Sequence, residues 1–172
     1  MSEPAVYYAY TDHVGVWRRL MIEWIDVSVA GLISTLLSVF AMVLVRSAEV
    51  MALITLVLWG VVWFAYFVVL KASRFRTLGY LAARARIVNL QGERPRFAWM
   101  FLRFLFALYG PIGLDLLWLS SDPHRQTLRD KFAHTFVIRD TARPAGVGQV
   151  VYQTCTVCAW TLLFADVRPD RT

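Results

Sequence analysis

Two uncharged stretches, VSVAGLISTLLSVFAMVLV at residues 27–45 and VMALITLVLWGVVWFAYFVVL at residues 50–70, decide how this chain folds. Each supplies the ~20 apolar residues that an α-helix needs to cross a hydrocarbon core of ~30 Å. Only Arg46, Ser47, Ala48 and Glu49 separate them. The pair therefore reads as a membrane hairpin, with spans over about 22–45 and 50–70.

The composition points the same way. Hydrophobic residues make up 58% of the 172 and charged residues only 17%, well below the quarter or so of an ordinary soluble domain. The net charge of +6 does not indicate nucleic acid, because the basic residues flank apolar runs and form no aromatic-interleaved groove. Anionic lipid headgroups of the bilayer are the expected counter-charge. Residues 1–17 are polar and aromatic, without a basic region, apolar core and small-residue cleavage site in succession, so the first span is expected to act as its own uncleaved signal.

Orientation follows from the arginines and lysines. Lys71, Arg74, Arg76, Arg84, Arg86, Arg94 and Arg96 stand against the single acid Glu93 between the second span and the next apolar run. That loop is expected in the cytoplasm, together with residues 1–17, and the turn at Arg46 outside. A third apolar run covers 97–121 and is broken by Gly110, Pro111 and Gly113, residues that interrupt a helix. At ~1.5 Å per residue its halves reach roughly 16 Å and 12 Å, so neither crosses alone. A helical hairpin that re-enters the membrane is favoured, because a single crossing would strand Arg125, Arg129, Lys131, Arg139 and Arg143 outside; one kinked span is the alternative.

The loops carry strand signals. Arg84 to Leu90 alternates ahead of a Gln91-Gly92 turn, and His134 to Arg139 is rich in β-branched and aromatic residues. The two can pair on one side of the membrane, although a two-stranded ladder needs outside support. The expected fold is thus an all-α polytopic membrane protein: a segment 1–17, a membrane domain 18–140 with a small cytoplasmic two-stranded β pair, and a linker with an apolar tail over 141–172. The tail is β-branched and slightly short for a span. Strand, interfacial helix and partner-docking segment all fit it, with Tyr152, Trp160 and Phe164 as docking residues.

Charges within apolar runs carry the functional information, since an acid or base at the bilayer centre costs ~2.5–3.5 kcal/mol on the mildest scales. Arg19, Glu23 and Asp26 share one helix face. Arg19 and Glu23 can pair locally, leaving Asp26 to seek another cation or a proton, with Arg103 a candidate for that cation; Asp115 is a further acid at similar depth if the third run is a hairpin. Such a cluster either locks helices together or forms a cation or proton pathway.

Residues 19–26, RLMIEWID, resemble the opening of the RDD family of bacterial membrane proteins, named for one arginine and two aspartates. Residues 77–95 resemble its glycine turn and following strand, Arg103 its recurrent arginine in the next apolar run, and residues 125–138 its closing segment, which places the second family aspartate at Asp130. The resemblance runs over roughly residues 14–140 and implies the bacterial cytoplasmic membrane, with transport or sodium/proton exchange suggested for some members. This chain departs from the pattern at Ile22, Tyr80, Arg129 and His134, where the family usually has a small residue, a lysine, a histidine and a glycine.

Cys155 and Cys158 form a lone C-x-x-C without a second pair, so packing outranks metal or redox chemistry. No nucleophile triad or phosphate loop is present, and no catalytic residue, metal or cofactor is assigned. The expected function is that of a non-enzymatic accessory or structural subunit, packed against protein partners in a larger membrane complex. The alternative is a small homo-oligomeric transporter or cation/proton exchanger. On the first reading, a chain ending at Arg143 should keep its folded core.

Overall fold

The computed structural model describes residues 4–109, 115, 118–119, 122, 125–157 and 160–169. Helix α1 (Val16–Leu44) starts after an extended Gly15 and ends at an extended Val45. Helix α2 (Ala48–Phe64) opens with Glu49 in its first turn, where a carboxylate complements the positive end of the helix dipole. It continues as a π-helical turn over Ala65–Leu70, which turns Tyr66 and Val68 inward. Both helices, α1 and the continuous Ala48–Leu70, are long and apolar enough to cross a membrane. The first begins earlier than its hydropathy suggests, because Arg19, Glu23 and Asp26 ride on its first turns instead of preceding it.

The short helix α3 (Leu78–Ala82) leads into β2 (Ala85–Asn89). Helix α4 (Phe97–Tyr109) opens the third apolar run. The Gly-Pro-Gly break that was to turn the re-entrant hairpin, residues 110–113, lies outside the described residues. Asp115 beyond it is again helical. Helix α5 (Leu128–Phe132) then leads into β3 (Thr135–Arg139).

Strands β2 and β3 pair antiparallel, with Ile87 opposite Val137 and Val88 opposite Phe136. Alternation sorts their side chains between two cores, as a period of two requires. Ala85, Ile87 and Val137 pack with Val14, Ile22, Tyr80 and Ala83 against the membrane helices. Val88, Phe136 and Ile138 face the other way, into a core completed by Ala5, Tyr8, Ala165 and Val167.

That second core corrects the all-α expectation. The described residues contain five strands in two sheets. β1 (Ala5–Tyr7), β4 (Gly146–Val157) and β5 (Trp160–Pro169) form a three-stranded antiparallel sheet in the order β1-β4-β5. The β-branched tail is a hairpin, in register from Gly148 opposite Pro169 to Val157 opposite Trp160. The N-terminal segment is likewise no appendage. It contributes the edge strand β1, and the Val14 amide donates to the Val137 carbonyl at 3.1 Å. The linker does not separate the tail from the core either, since the Ala145 amide donates to the Tyr7 carbonyl at 2.8 Å and β4 pairs with β1. A chain ending at Arg143 would lose Ala165 and Val167 from that core and the β4 partner of β1, so the tail is part of the fold.

The two sheets together form a head on the membrane helices, and the burial contrast along it gives a direct check. Phe136 is 2% exposed and Tyr152 is 62% exposed. Phe136→Ala should lower unfolding free energy by ~3–5 kcal/mol, while Tyr152→Ala should stay within ~0.5 kcal/mol. Denaturant unfolding of the full chain in mild detergent measures both.

Candidate functional site

The charged residues of the three apolar runs assemble into two centres at the junction between membrane helices and head. The first is built on Asp130, fully buried at the start of α5. Thr127 precedes the helix, and a capping box joins the two residues: the Asp130 amide donates to the Thr127 hydroxyl at 3.3 Å, and the Thr127 amide donates to Asp130 Oδ2 at 3.1 Å. That reciprocal bond fixes the carboxylate where the helix N-terminus favours negative charge. Arg19 of α1 donates to one of its oxygens and Arg103 of α4 to the other.

Both guanidinium groups are tied further. Arg103 donates to the Thr135 hydroxyl at 2.6 Å, and Arg19 donates to the Arg125 carbonyl at 2.9 Å. Burial alone would push the Asp130 carboxyl up, but Arg103, Arg19 and Arg129 together with the Thr127 amide hold it well below the usual carboxylate range.

Arg129, one residue along, extends this centre sideways. It donates to Glu23 Oε1 at 2.7 Å, its Nε lies 3.0 Å from Asp115 Oδ2, and its amide donates to Asp115 Oδ1 at 3.1 Å. Glu23 therefore pairs with Arg129 of α5, not with Arg19 on its own helix. The cause is competition: Arg19 is already committed to Asp130.

The second centre is Asp26, also fully buried. Its partner is not Arg103, which Asp130 holds, but Lys71 at 3.5 Å. Three hydrogen bonds complete the shell, from the Tyr66 hydroxyl at 3.1 Å, the Thr77 hydroxyl at 2.7 Å and the Gly79 amide at 2.8 Å. Tyr66 reaches it from the π-helical turn, and such turns recur at functional positions. Gly79 is obligatory for a steric reason. A Cβ there would stand 2.4 Å from the Ile22 carbonyl oxygen and 2.7 Å from Asp26 Oδ1, so only glycine lets α3 approach α1 this closely.

Lys71, Tyr66, Thr77 and Gly79 were not among the expected site residues. One signal for Tyr66 was available: it and Asp26 lie equally far along the chain from Arg46 in the turn, which places them at one depth in an antiparallel hairpin. The docking residues of the tail divide. Phe164 is buried against Phe132 and Trp118, Tyr152 is exposed, and the side chain of Trp160 lies outside the described residues. Cys158 also lies outside them, and among the described residues no group of three His, Cys, Asp or Glu side chains could hold a metal.

At three of the unusual positions the geometry shows what the change meets. His134 has φ +50, a left-handed conformation that glycine adopts freely, and it stacks edge-on to Trp99 at 5.0 Å. Burial pushes its imidazole down. Arg129 uses its longer reach to bridge Glu23 and Asp115, and the Tyr80 ring lies 5.2 Å from the Lys71 ammonium.

The family model described as RDD family matches residues 13–134. No curated protein and no solved structure matches the chain.

Double-mutant cycles separate the two centres. Asp26→Asn combined with Lys71→Met should show coupling of ~0.5 kcal/mol or more, whereas Asp26→Asn with Arg103→Met should be additive within ~0.5 kcal/mol. Asp130→Asn alone should cost ~3–5 kcal/mol by leaving two buried arginines short of a partner.

The acid limb of stability tests Asp130 separately. A carboxyl depressed in the fold stabilises above its unfolded value of roughly 4 and loses that contribution as pH falls through the lower folded value. The wild-type melting temperature should drop below about pH 4, and the Asp130→Asn variant should show a flatter slope there.

Proposed function

The chain belongs to the RDD family, and on that premise we propose that it is a non-enzymatic integral membrane subunit that packs its two spans against a larger membrane assembly. Family membership and two helices of spanning length and composition make it a membrane protein. The bacterial cytoplasmic membrane, with the head and basic loops inside, fits the distribution of arginine and lysine.

The observation that supports a packing role is the outer surface of α1. Ser34 and Ser38 return their hydroxyls to the Ala30 and Ser34 carbonyls at 2.8 Å, but Ser28 and Thr35 are exposed on the outside of the helix. Small and hydroxylic residues at such positions favour a neighbouring helix over lipid. Phe164, Ala165 and Val167 of the tail are buried within the head, which favours the outer surface of the spans as the docking face.

Asp26 favours the second reading, a cation or proton exchanger. A buried carboxylate and a lysine held 3.5 Å apart at a membrane face is the arrangement from which proton-coupled sites are built.

Purification in mild detergent distinguishes the two. A stoichiometric complex with other membrane proteins, lost when Ser28 and Thr35 are both replaced by Leu, supports the subunit. A homo-oligomer that moves cations in vesicles and loses flux in Asp26→Asn overturns it in favour of the exchanger.

A further inference from the structure

Beside the Asp26 centre, where the second span ends, the head encloses a small cavity of about 160 Å³. Lys71, Arg74, Arg76, Arg86 and Arg94 line it, with Glu93 as the acid among them. Two further carboxylates stand behind the wall: Asp26 beside Lys71, and Asp140 paired with Arg76. Five cations thus meet three acids, and the excess is positive.

The sequence places four of these cations by local devices. Lys71 follows the last turn of the second span directly. Arg76 takes a left-handed φ of +54 and is held there by Asp140 and by the Ala85 carbonyl at 3.2 Å. Arg94 leaves a tight turn in which Asn89 Oδ1 accepts from the Gln91 and Glu93 amides at 3.0 and 2.8 Å, and Gly92 supplies the required φ of +79. Arg86 is anchored on the Ala142 carbonyl at 2.9 Å, while its Nε is buried without a hydrogen-bond partner. Arg74 and Arg94 remain exposed at the mouth.

We propose that this cavity binds the phosphate of an anionic phospholipid headgroup. Three observations converge on that ligand. Five cationic residues line the space, and arginine pairs with phosphate through parallel N–H bonds. The volume is below the roughly 300–1,000 Å³ of sites for drug-sized molecules and suits a headgroup. Phe75, Leu78 and Leu81, next in the chain to the lining residues Arg74, Thr77 and Tyr80, are 65%, 52% and 48% exposed, an apolar rim of the kind that segments lying in the interface present to lipid. Basic pockets on the cytoplasmic side of spans recognise anionic headgroups in this way. A free phosphate shares the chemistry but makes no use of the rim.

Purified full-length protein in detergent would be titrated with short-chain phosphatidylglycerol, and separately with inorganic phosphate, while its melting temperature is followed. The lipid should raise the melting temperature saturably and inorganic phosphate should act far more weakly. Arg74→Gln and Arg94→Gln, both at exposed positions, should each weaken the lipid effect about fivefold, and Arg18→Gln outside the cavity should not. Equal loss in Arg18→Gln would assign the effect to overall charge and overturn the site. A response to inorganic phosphate as strong as to lipid would overturn the lipid assignment, and no saturable shift with either would overturn the proposal entirely.

Discussion

A carboxylate with no exposure to water must find compensation inside the protein, and for Asp130 that requirement organises the whole chain. Its two oxygens are shared between Arg19 from the first span and Arg103 from the third apolar run, and its backbone starts α5. Taking these three charges from water costs several kcal/mol per ion, so the cluster forms only if its members arrive together. It acts as a registration device more than as a source of stability. A slip of α1 by one residue would rotate Arg19 away from Asp130, and Glu23 away from Arg129 as well.

The second centre obeys the same constraint by different means. Among the described residues Asp26 pairs with one cation, Lys71 at 3.5 Å, and two hydroxyls and a backbone amide add to its shell. Backbone can come that close only because residue 79 is glycine. The π-helical turn and the glycine are two adjustments to one problem: both bring a donor from a separate element to a carboxylate that sits deep on α1. The sheet β1-β4-β5 covers the outer face of β2-β3, while the inner face packs on Ile22 of α1 and Tyr80 of α3. Arg19, Asp26, Arg103 and Asp130 are all buried, and ion pairs act strongly at low dielectric.

Much of this was legible in the sequence. Uncharged runs of spanning length announced the hairpin, and the alternation before Gln91-Gly92 announced the β2-β3 pair. The residues Arg19, Asp26, Arg103 and Asp130 could be singled out because charge in an apolar run is costly. Their pairing could not be read, since several acids and bases of similar depth admit several matchings. Packing chose among them: Asp130 sits between two arginines through its capping box, and Arg103 is thereby denied to Asp26. The three-stranded sheet was hidden for another reason. Its strands come from opposite ends of the chain, and the three residues of β1 are too few to show a period.

The contrast between the two carboxylates bears on what the junction can do. Asp130 accepts from two guanidinium groups that are themselves held by Thr135 and the Arg125 carbonyl, so a proton or a cation arriving there would have to break a closed network. Two of the groups that hold Asp26 have other contacts within reach: the Tyr66 hydroxyl also accepts from the Leu78 amide at 3.2 Å, and the Lys71 ammonium lies 4.6 Å from the Phe67 ring as well as against Tyr80. Lys71 also lines the basic cavity. A phosphate in that cavity would compete with Asp26 for the same ammonium. The two carboxylates thus divide the junction: Asp130 ties α1, α4 and α5 together in a closed network, and Asp26 shares its cation with the cavity wall.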